Sequence, residues 1–275
     1  MIKSSQLVGK VGFAVGTGRC GTLFLHKALS MERNVAACHE RNNLNETFHR
    51  YCQWNNLPVD HRGFLDTKQD EICEDLKKAA FSFEASAHLS LSIRELYERF
   101  QARFVLLVRR PEDVVKSYLV KGWYKTPIVR DDTSLAISYQ PGTEYMHRFL
   151  GRIVPNGDEF DRWQNLSRVG QLAWYWNALN TRVVEQFNRI PETHWHICKL
   201  EDLDFARYAE ILSFLGVESK LPQRKYDALA RQRPNKGGKP RTNTTWTSSE
   251  RLDFEAEVEP MSDYLQYYFN SSGIS

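Results

Sequence analysis

The stretch that decides the fold is residues 11–29, which read VGFAVGTGRCGTLFLHKAL. A short apolar run leads into a glycine-rich turn, and a run with helical spacing follows at once. This order predicts a buried strand, a tight loop and a helix. Glycine allows the N–H groups of such a loop to converge, and the helix N-terminus adds a partial positive charge. The stretch therefore predicts a cradle for a phosphate or another tetrahedral oxyanion.

The spacing of the glycines leaves the kind of phosphate loop open. Gly16 and Gly21 have the GxxxxG spacing of a nucleoside triphosphate-binding loop, but Thr22 stands where a kinase or GTPase has its lysine. The segment GTGRCG also fits the fingerprint of dinucleotide-binding domains. The cation here is Arg19, and its position inside the loop favours an anion site over a turn that binds nothing.

A second basic stretch lies at residues 104–118, FVLLVRRPEDVVKSY. The apolar run predicts a strand that ends at Arg109, and the proline predicts the start of a helix that places Ser117 two turns in. Open α/β sheets bind ligands at the C-terminal ends of their strands, and a guanidinium can bind phosphate through two hydrogen bonds. We therefore expect Arg109 to bind an anion, whereas we expect Arg110 to pair with the acidic residues two and three positions on.

Along the chain, short apolar runs alternate with longer amphipathic ones. This alternation predicts an α/β fold, with a mainly parallel sheet between two layers of helices, and we expect residues 1–275 to form one domain. Two stretches break the alternation. Residues 122–161 are expected to form an excursion over the active-site face, and residues 223–247 to form a basic loop without regular structure.

The composition narrows the class of protein. A hydrophobic content of 41% with 26% charged residues is typical of a globular chain, and a net charge of +3 is too balanced for general nucleic-acid binding. The 5 cysteines are irregularly spaced without a CxxC pair, which argues against a zinc site and a full disulfide framework. No run approaches the ~20 apolar residues of a membrane helix. We therefore expect a soluble, cytoplasmic protein without a membrane span.

With these two basic motifs the chain resembles the sulfotransferases that use 3′-phosphoadenosine 5′-phosphosulfate (PAPS) as donor. In that family a TGRSGT-like loop holds the 5′-phosphosulfate, and an Arg-x-Pro strand end with a later serine holds the 3′-phosphate. The resemblance implies a three-layer fold of the P-loop NTPase type. It assigns donor binding to the following residues: Thr17, Gly18, Arg19, Cys20, Gly21, Thr22, Leu23, Arg109 and Ser117.

Two further segments support the resemblance less specifically. The family tends to have a Glu-Asp-Leu turn after a late strand, and Glu201 begins such a turn here. Family members also have a basic Lys-Gly loop that closes over the nucleotide. The candidates for it are Lys236, Gly237 and Gly238. An arginine rather than a lysine in the phosphosulfate loop is closer to the tyrosine and carbohydrate branches than to the cytosolic small-molecule branch.

The general base is expected at the end of the second strand, where the sequence reads AACHE at residues 36–40. Alignment on Arg19 places the catalytic glutamate of the tyrosine branch at Glu40 without a gap. His39 is the alternative, because the cytosolic branch uses histidine and a neutral imidazole suits proton removal near pH 7. Since neighbouring side chains of a strand point to opposite faces, we expect one of the two to face the substrate. A third interpretation makes both of them surface residues before a helix.

The residues that would bind the acceptor substrate are less clearly indicated by the sequence. The carbohydrate branch has a lysine near the transferred group, in a Lys-Ser-Pro segment after the third strand, and Ala85 occupies that position here. Either a lysine is not needed at this position, or His88 or Glu84 substitutes for it, so both are candidates for substrate binding. Trp123, at the start of the excursion, is a further candidate, since an aromatic ring can stack on a substrate.

Taken together, the resemblance implies in-line transfer of a sulfuryl group from PAPS to a hydroxyl acceptor, with 3′,5′-ADP (PAP) as product. The acceptor could be a carbohydrate, a small-molecule or lipid alcohol, or a tyrosine. If Arg19 stabilises the leaving phosphate, no metal is required. Two alternatives remain: a P-loop small-molecule kinase, and a non-catalytic module that binds a 3′-phosphonucleotide. The oligomeric state also remains open.

Overall fold

A computed structural model describes residues 7–125, 153–232 and 245–267. Its strands are β1 (Val11–Val15), β2 (Val35–His39), β3 (Phe81–Ala85), β4 (Arg103–Val108) and β5 (Trp195–Lys199). Its helices are α1 (Thr22–Leu29), α2 (Asn43–Trp54), α3 (His61–Leu76), α4 (Ile93–Phe100), α5 (Pro111–Val120), α6 (Glu159–Gln164), α7 (Arg168–Phe187), α8 (Phe205–Leu215), α9 (Gln223–Gln232) and α10 (Ser248–Tyr264). A 3₁₀ helix, Ala87–Leu91, links β3 to α4.

The five strands form one sheet in the order β2-β3-β1-β4-β5, and every neighbouring pair is parallel. The chain runs outward from β1 to β2, returns to β3, and then crosses to β4 on the other side of β1. The C-terminal ends of β1 and β4 therefore meet at a switch point of the topology, where open α/β sheets bind ligands.

Side chains of the central strands alternate between two apolar clusters, one on each face of the sheet. Phe13 and Phe104 belong to the first cluster, which includes side chains of α4, α5, α7 and α10. Ala14 and Val105 belong to the second, which includes side chains of α1, α8 and α9. The expected three-layer α/β/α fold with a mainly parallel sheet is confirmed.

Several helix starts follow from local side-chain chemistry. In α3, α7, α8 and α10 the residue before the helix accepts an N–H of the first turn with its side chain. These capping residues are Asp60, Ser167, Asp204 and Thr247. By contrast, the N-cap residue of α1 is Gly21, which has no capping side chain, and the first turn of α1 has no acidic residue. The first turn of α1 is thus left without an internal acceptor side chain.

The prediction of a basic loop at residues 223–247 is wrong at its beginning. Residues Gln223–Gln232 form α9, because Tyr226 and Leu229 lie three apart and are buried together against the second cluster. Residues 245–247 precede α10, and 233–244 lie outside the described residues. Part of the predicted excursion is α6, and its residues 126–152 also lie outside the described part. In the ranges that are described, no helix is long and apolar enough to cross a membrane.

Candidate functional site

The phosphate-loop candidate follows β1 and has a left-handed backbone at three positions. The φ angles of Gly18, Arg19 and Gly21 are 82°, 58° and 105°. Gly21 could not be replaced without displacement, since a Cβ there would lie 2.6 Å from Leu200 Cδ1. At Arg19 the left-handed backbone is uncommon for a residue with a side chain. Among these three positions, only Arg19 therefore has a backbone conformation that its own residue type disfavours.

Three hydroxyl groups from other elements donate hydrogen bonds to backbone carbonyl oxygens of this loop. Tyr118 Oη donates to the carbonyl oxygen of Thr17, and Tyr175 Oη donates to the same oxygen over 3.2 Å. Ser90 Oγ donates to the carbonyl oxygen of Gly16 over 2.7 Å. Ser90 Oγ also accepts a hydrogen bond of 3.2 Å from Gly16 N, so the start of the loop is held through both its N–H and its carbonyl groups. None of these three hydroxyls was among the sequence-predicted residues, although Tyr118 directly follows Ser117 in the second motif.

The two predicted basic motifs meet. Arg19 Nε donates a hydrogen bond of 2.8 Å to Ser117 Oγ, although 98 residues separate the two in sequence. Arg109 Nη1 donates to the carbonyl oxygen of Arg19 over 3.3 Å. Trp176 Nε1 donates to the carbonyl oxygen of Arg109 over 3.1 Å and so holds the strand end in place. The Arg19 side chain thus contacts the hydroxyl of the second motif, and the Arg109 guanidinium contacts the backbone of Arg19, beyond the C-terminal ends of β1 and β4.

The expected pairing of Arg110 with Glu112 and Asp113 is wrong. Lys116 Nζ binds Glu112 over 2.8 Å, and Arg109 Nη2 lies 3.7 Å from Asp113 Oδ2. Both pairs are four residues apart, the spacing that brings side chains together on one face of a helix.

The backbone N–H of Arg110 instead donates to Glu201 Oε1 over 2.8 Å. Glu201 also accepts a hydrogen bond of 2.9 Å from Tyr267 Oη. The predicted Glu-Asp-Leu turn therefore lies beside the end of β4.

The two candidate bases lie next to each other beyond β2. His39 Nε2 is 3.3 Å from Thr22 Oγ1, at the N-terminus of α1. Glu40 Oε2 lies 3.9 Å from His39 Nδ1 and 3.8 Å from His88 Nε2. Glu40 has a φ of 48°, so the chain is no longer extended at this residue and the two side chains face each other. The expected divergence of His39 and Glu40 is therefore wrong.

Burial lowers the pKa of His39, one of the two candidate bases. Desolvation lowers the pKa of His39 below its ordinary 6.5, while the charge of Glu46 opposes this shift. The imidazole of His39 is therefore neutral near pH 7. A neutral ring can accept a proton or a hydrogen bond from a neighbouring hydroxyl.

Glu84 lies beneath the site rather than on its surface. It is only 5% exposed, and Glu84 Oε2 accepts a hydrogen bond of 2.9 Å from Lys68 Nζ. Burial, with the nearby charge of Glu46, raises the pKa of Glu84 to about 7. This position argues against Glu84 as a substrate-binding residue. The sequence contained no signal for Lys68, which sits in a polar run of α3.

The other residues that the sequence predicts for donor or substrate binding differ in how far they are buried. Cys20 is fully buried, and burial raises the pKa of its thiol to about 11, so only its backbone is suited to binding an anion. Leu23 is half-buried in the first turn of α1. The ring of Trp123 packs on Tyr118 at 4.1 Å between centroids, behind the loop. Lys236, Gly237 and Gly238 lie outside the described residues.

Within residues 7–125, 153–232 and 245–267, no group of three or more His, Cys, Asp or Glu side chains has an arrangement that could hold a metal ion.

Comparison with protein families identifies a matching domain. The model of the sulfotransferase domain matches residues 12–192, which is more than half of the chain. The matched range contains both the Arg19 loop and the motif from Arg109 to Ser117. Comparison with curated proteins gives no significant match.

The solved structures that are similar to the chain include three sulfotransferases or sulfotransferase domains. The sulfotransferase domain of the olefin synthase of Synechococcus PCC 7002 is 14% identical, with 94% of this chain and 95% of that one covered and a TM-score of 0.47. The sulfotransferase domain of the curacin biosynthetic pathway is 12% identical, with coverages of 95% and 99% and a TM-score of 0.49. A sulfotransferase from Alicyclobacillus acidocaldarius is 15% identical, with coverages of 91% and 95% and a TM-score of 0.40. Because these TM-scores are low, the family assignment rests on the domain match.

Proposed function

The chain belongs to the sulfotransferase domain family, and on this premise we propose that it transfers a sulfuryl group from PAPS to a hydroxyl acceptor. The observation that carries the proposal is the hydrogen bond of 2.8 Å between Arg19 Nε and Ser117 Oγ. It joins the two basic motifs of the sequence into one cationic site at the switch point of the sheet. Neither motif alone distinguishes a sulfotransferase from other phosphate-binding proteins.

The donor set suits a ligand with two tetrahedral anions. On one side lie Arg19 and the first turn of α1, whose N-cap residue Gly21 has no capping side chain. On the other side lie Arg109 and Ser117, and Arg109 donates to the carbonyl oxygen of Arg19. Helix N-termini and guanidinium groups both favour phosphate and sulfate oxygens. We assign the phosphosulfate to the first group and the 3′-phosphate to the second.

PAPS, when bound, supplies an activated sulfuryl group: a new bond joins sulfur to the acceptor oxygen as the bond to the 5′-phosphate oxygen breaks. The leaving phosphate oxygen takes the bonding electron pair. Arg19 and the N–H groups of the loop stabilise the charge that develops there. Arg109 and Ser117 hold the nucleotide so that the reacting groups stay aligned.

The proton of the acceptor hydroxyl passes to Glu40 in this proposal. Its carboxylate lies at the same end of the sheet as Thr22 and is flanked by His39 and His88. His39 is the second candidate, because its lowered pKa keeps the imidazole neutral and its Nε2 already lies beside Thr22 Oγ1. His88 and Trp123 remain candidates for acceptor binding.

Calorimetric titration tests the donor assignment before any acceptor is known. The probes are 3′,5′-ADP, ADP and ATP, each without magnesium. We expect micromolar binding of 3′,5′-ADP and no comparable binding of the other two, because only 3′,5′-ADP has a 3′-phosphate for Arg109 and Ser117. Preferential binding of ATP would contradict the proposal and favour a kinase. A screen of hydroxyl compounds with labelled PAPS then separates an enzyme from a non-catalytic binding module.

A further inference from the structure

The turn that carries Glu40 is held by side chains that lie behind it. Glu40 N donates to the carbonyl oxygen of Ala85 over 3.1 Å. Arg41 N donates to Glu84 Oε1 over 3.0 Å, and Asn42 N donates to Glu46 Oε1 over 3.3 Å. Three successive N–H groups are thus bound just where the backbone becomes left-handed. Two of their three acceptors are carboxylates, not backbone carbonyl groups.

These carboxylates converge on one buried cation. Lys68 Nζ lies 2.5 Å from Glu46 Oε1 and 2.9 Å from Glu84 Oε2. It also lies 2.9 Å from Glu71 Oε2. Lys68, Glu46 and Glu84 are 1%, 0% and 5% exposed. Buried charges of this kind are tolerated only when they are paired and hydrogen-bonded.

The same cluster reaches the other flank of the Glu40 carboxylate. Ser86 Oγ donates to Glu46 Oε2 over 2.6 Å, and His88 N donates to Ser86 Oγ over 3.2 Å. His88 is one of the two imidazoles beside Glu40. The cluster therefore contacts both the turn that carries Glu40 and the segment that carries its neighbour.

We propose that Glu46, Lys68 and Glu84 form a buried positioning unit that holds Glu40 in the orientation needed to accept the proton of the acceptor hydroxyl. This inference rests on the proposed role of Glu40 as general base. The unit does not contact substrate. It acts through the backbone of Arg41 and Asn42, which follow Glu40 directly.

The backbone at Glu40 explains why such a unit is needed. A left-handed φ at a residue with a side chain costs free energy and persists only where the surroundings impose it. Without acceptors for the next two N–H groups, the turn would relax toward an ordinary conformation and carry the carboxylate away from His39 and His88. A displacement of about 1 Å at a catalytic group can lower a rate about 100-fold.

Another buried carboxylate provides a matched control. Glu32 is 2% exposed, and its Oε2 accepts a hydrogen bond of 2.7 Å from the backbone N–H of Lys220. Its Oε1 accepts from Tyr208 Oη over 3.1 Å. Glu32 thus holds a turn in the same chemical manner as Glu84, but the turn lies before α9 and contains none of the proposed site residues.

The experiment compares Glu84→Gln with Glu32→Gln. The first measurement is backbone hydrogen exchange of the peptide that contains residues 39–46, read by mass spectrometry. We expect faster exchange there in Glu84→Gln and wild-type exchange in Glu32→Gln. The second measurement is kcat with labelled PAPS and the best hydroxyl compound of the acceptor screen, with water as the acceptor if no compound is better. We expect kcat to fall about 10- to 100-fold in Glu84→Gln only, with KM for PAPS and Kd for 3′,5′-ADP unchanged.

Unchanged exchange at residues 39–46 in Glu84→Gln would overturn the inference, whether or not the protein transfers sulfuryl groups. Equal losses of kcat in the two variants would also overturn it, because a general loss of stability would then be enough to explain the lower kcat of Glu84→Gln. Failure of the wild-type protein to bind 3′,5′-ADP or to consume PAPS is a different result. It would refute the proposed function, while the exchange measurement would still decide whether the unit holds the turn.

Discussion

The loop of Arg19 and the turn of Glu40 lie at the same end of the sheet but are held in different ways. Neutral hydroxyls of Tyr118, Tyr175 and Ser90 bind carbonyl groups of the Arg19 loop. Ionisable carboxylates gathered on Lys68 bind N–H groups of the Glu40 turn. The first arrangement engages mainly backbone acceptors, whereas the second engages backbone donors, the N–H groups of Arg41 and Asn42. In the proposed function, the Arg19 loop binds the anionic donor and the Glu40 turn presents a carboxylate.

The largest effect is expected from Arg19→Ala. Loss of the guanidinium removes charge-assisted hydrogen bonds worth about 1.5–3 kcal/mol in the bound state, or about 10- to 100-fold in the Kd of 3′,5′-ADP. Transfer from PAPS should become undetectable, since the proposed mechanism uses the same group to stabilise the leaving phosphate. Calorimetry and the labelled-PAPS assay measure both. The control is Arg62→Ala, at a side chain 91% exposed on α3, which should bind like the wild type.

Replacement of the proposed base should separate chemistry from binding. Glu40→Ala is expected to lower kcat about 100- to 10,000-fold, the usual contribution of a positioned general base, and to leave the Kd of 3′,5′-ADP unchanged. His39→Ala serves as the comparison. If His39→Ala loses transfer while Glu40→Ala keeps it, the imidazole is the base and the assignment of Glu40 is wrong.

Smaller effects are expected from the hydroxyls behind the Arg19 loop. Tyr118→Phe removes one donor to the carbonyl oxygen of Thr17, a loss of about 0.5–1.5 kcal/mol in the free energy of unfolding. Because the loop then relaxes, 3′,5′-ADP should also bind a few-fold more weakly, as measured by calorimetry. The control is Tyr208→Phe, which also removes a buried hydroxyl. That hydroxyl donates to Glu32 on the other side of the sheet. An equal loss of binding in that variant would show that the effect is not local to the loop.

The positioning unit of Glu46, Lys68 and Glu84 should make the free energy of unfolding depend on pH. Burial, with the charge of Glu46, raises the pKa of Glu84 to about 7 from its ordinary 4.5. Protonation of the Glu84 carboxyl therefore stabilises the fold. This contribution is fully present below about pH 4.5 and is lost as the pH rises through about 7. Histidines with lowered pKa values, such as His39, act in the opposite sense, so the quantity to measure is a difference between variants.

The test is denaturant unfolding of the wild type and Glu84→Gln between pH 4.5 and pH 7. Relative to the wild type, the free energy of unfolding of Glu84→Gln should increase as the pH rises through this window. Ser86→Ala touches the same cluster through Glu46 but removes no titrating carboxyl, so its difference from the wild type should stay constant. A constant difference for Glu84→Gln as well would show that Glu84 does not titrate there.

The fold was predictable because its signals are local. Alternating apolar runs identified the five strands, and glycines marked the turn between β1 and α1. The meeting of Arg19 with Ser117 was implied by the family resemblance rather than by spacing. The helix α9 was missed because only Tyr226 and Leu229 of its ten residues are buried, too few to produce a periodic pattern.

The sequence by itself determined the β1–loop–α1 unit, because glycine conformations, helix starts and strand patterns depend on neighbours in the chain. It also indicated the chemical type of the proposed anion site. Only the tertiary structure decided which charges meet. Lys68 lies in DTKQDE, a run typical of a solvated helix face, yet it is 1% exposed and bound to three carboxylates. Those carboxylates come from α2, α3 and β3. Burial that arises from distant elements, and the electrostatics that follow from it, leave no local pattern in the sequence.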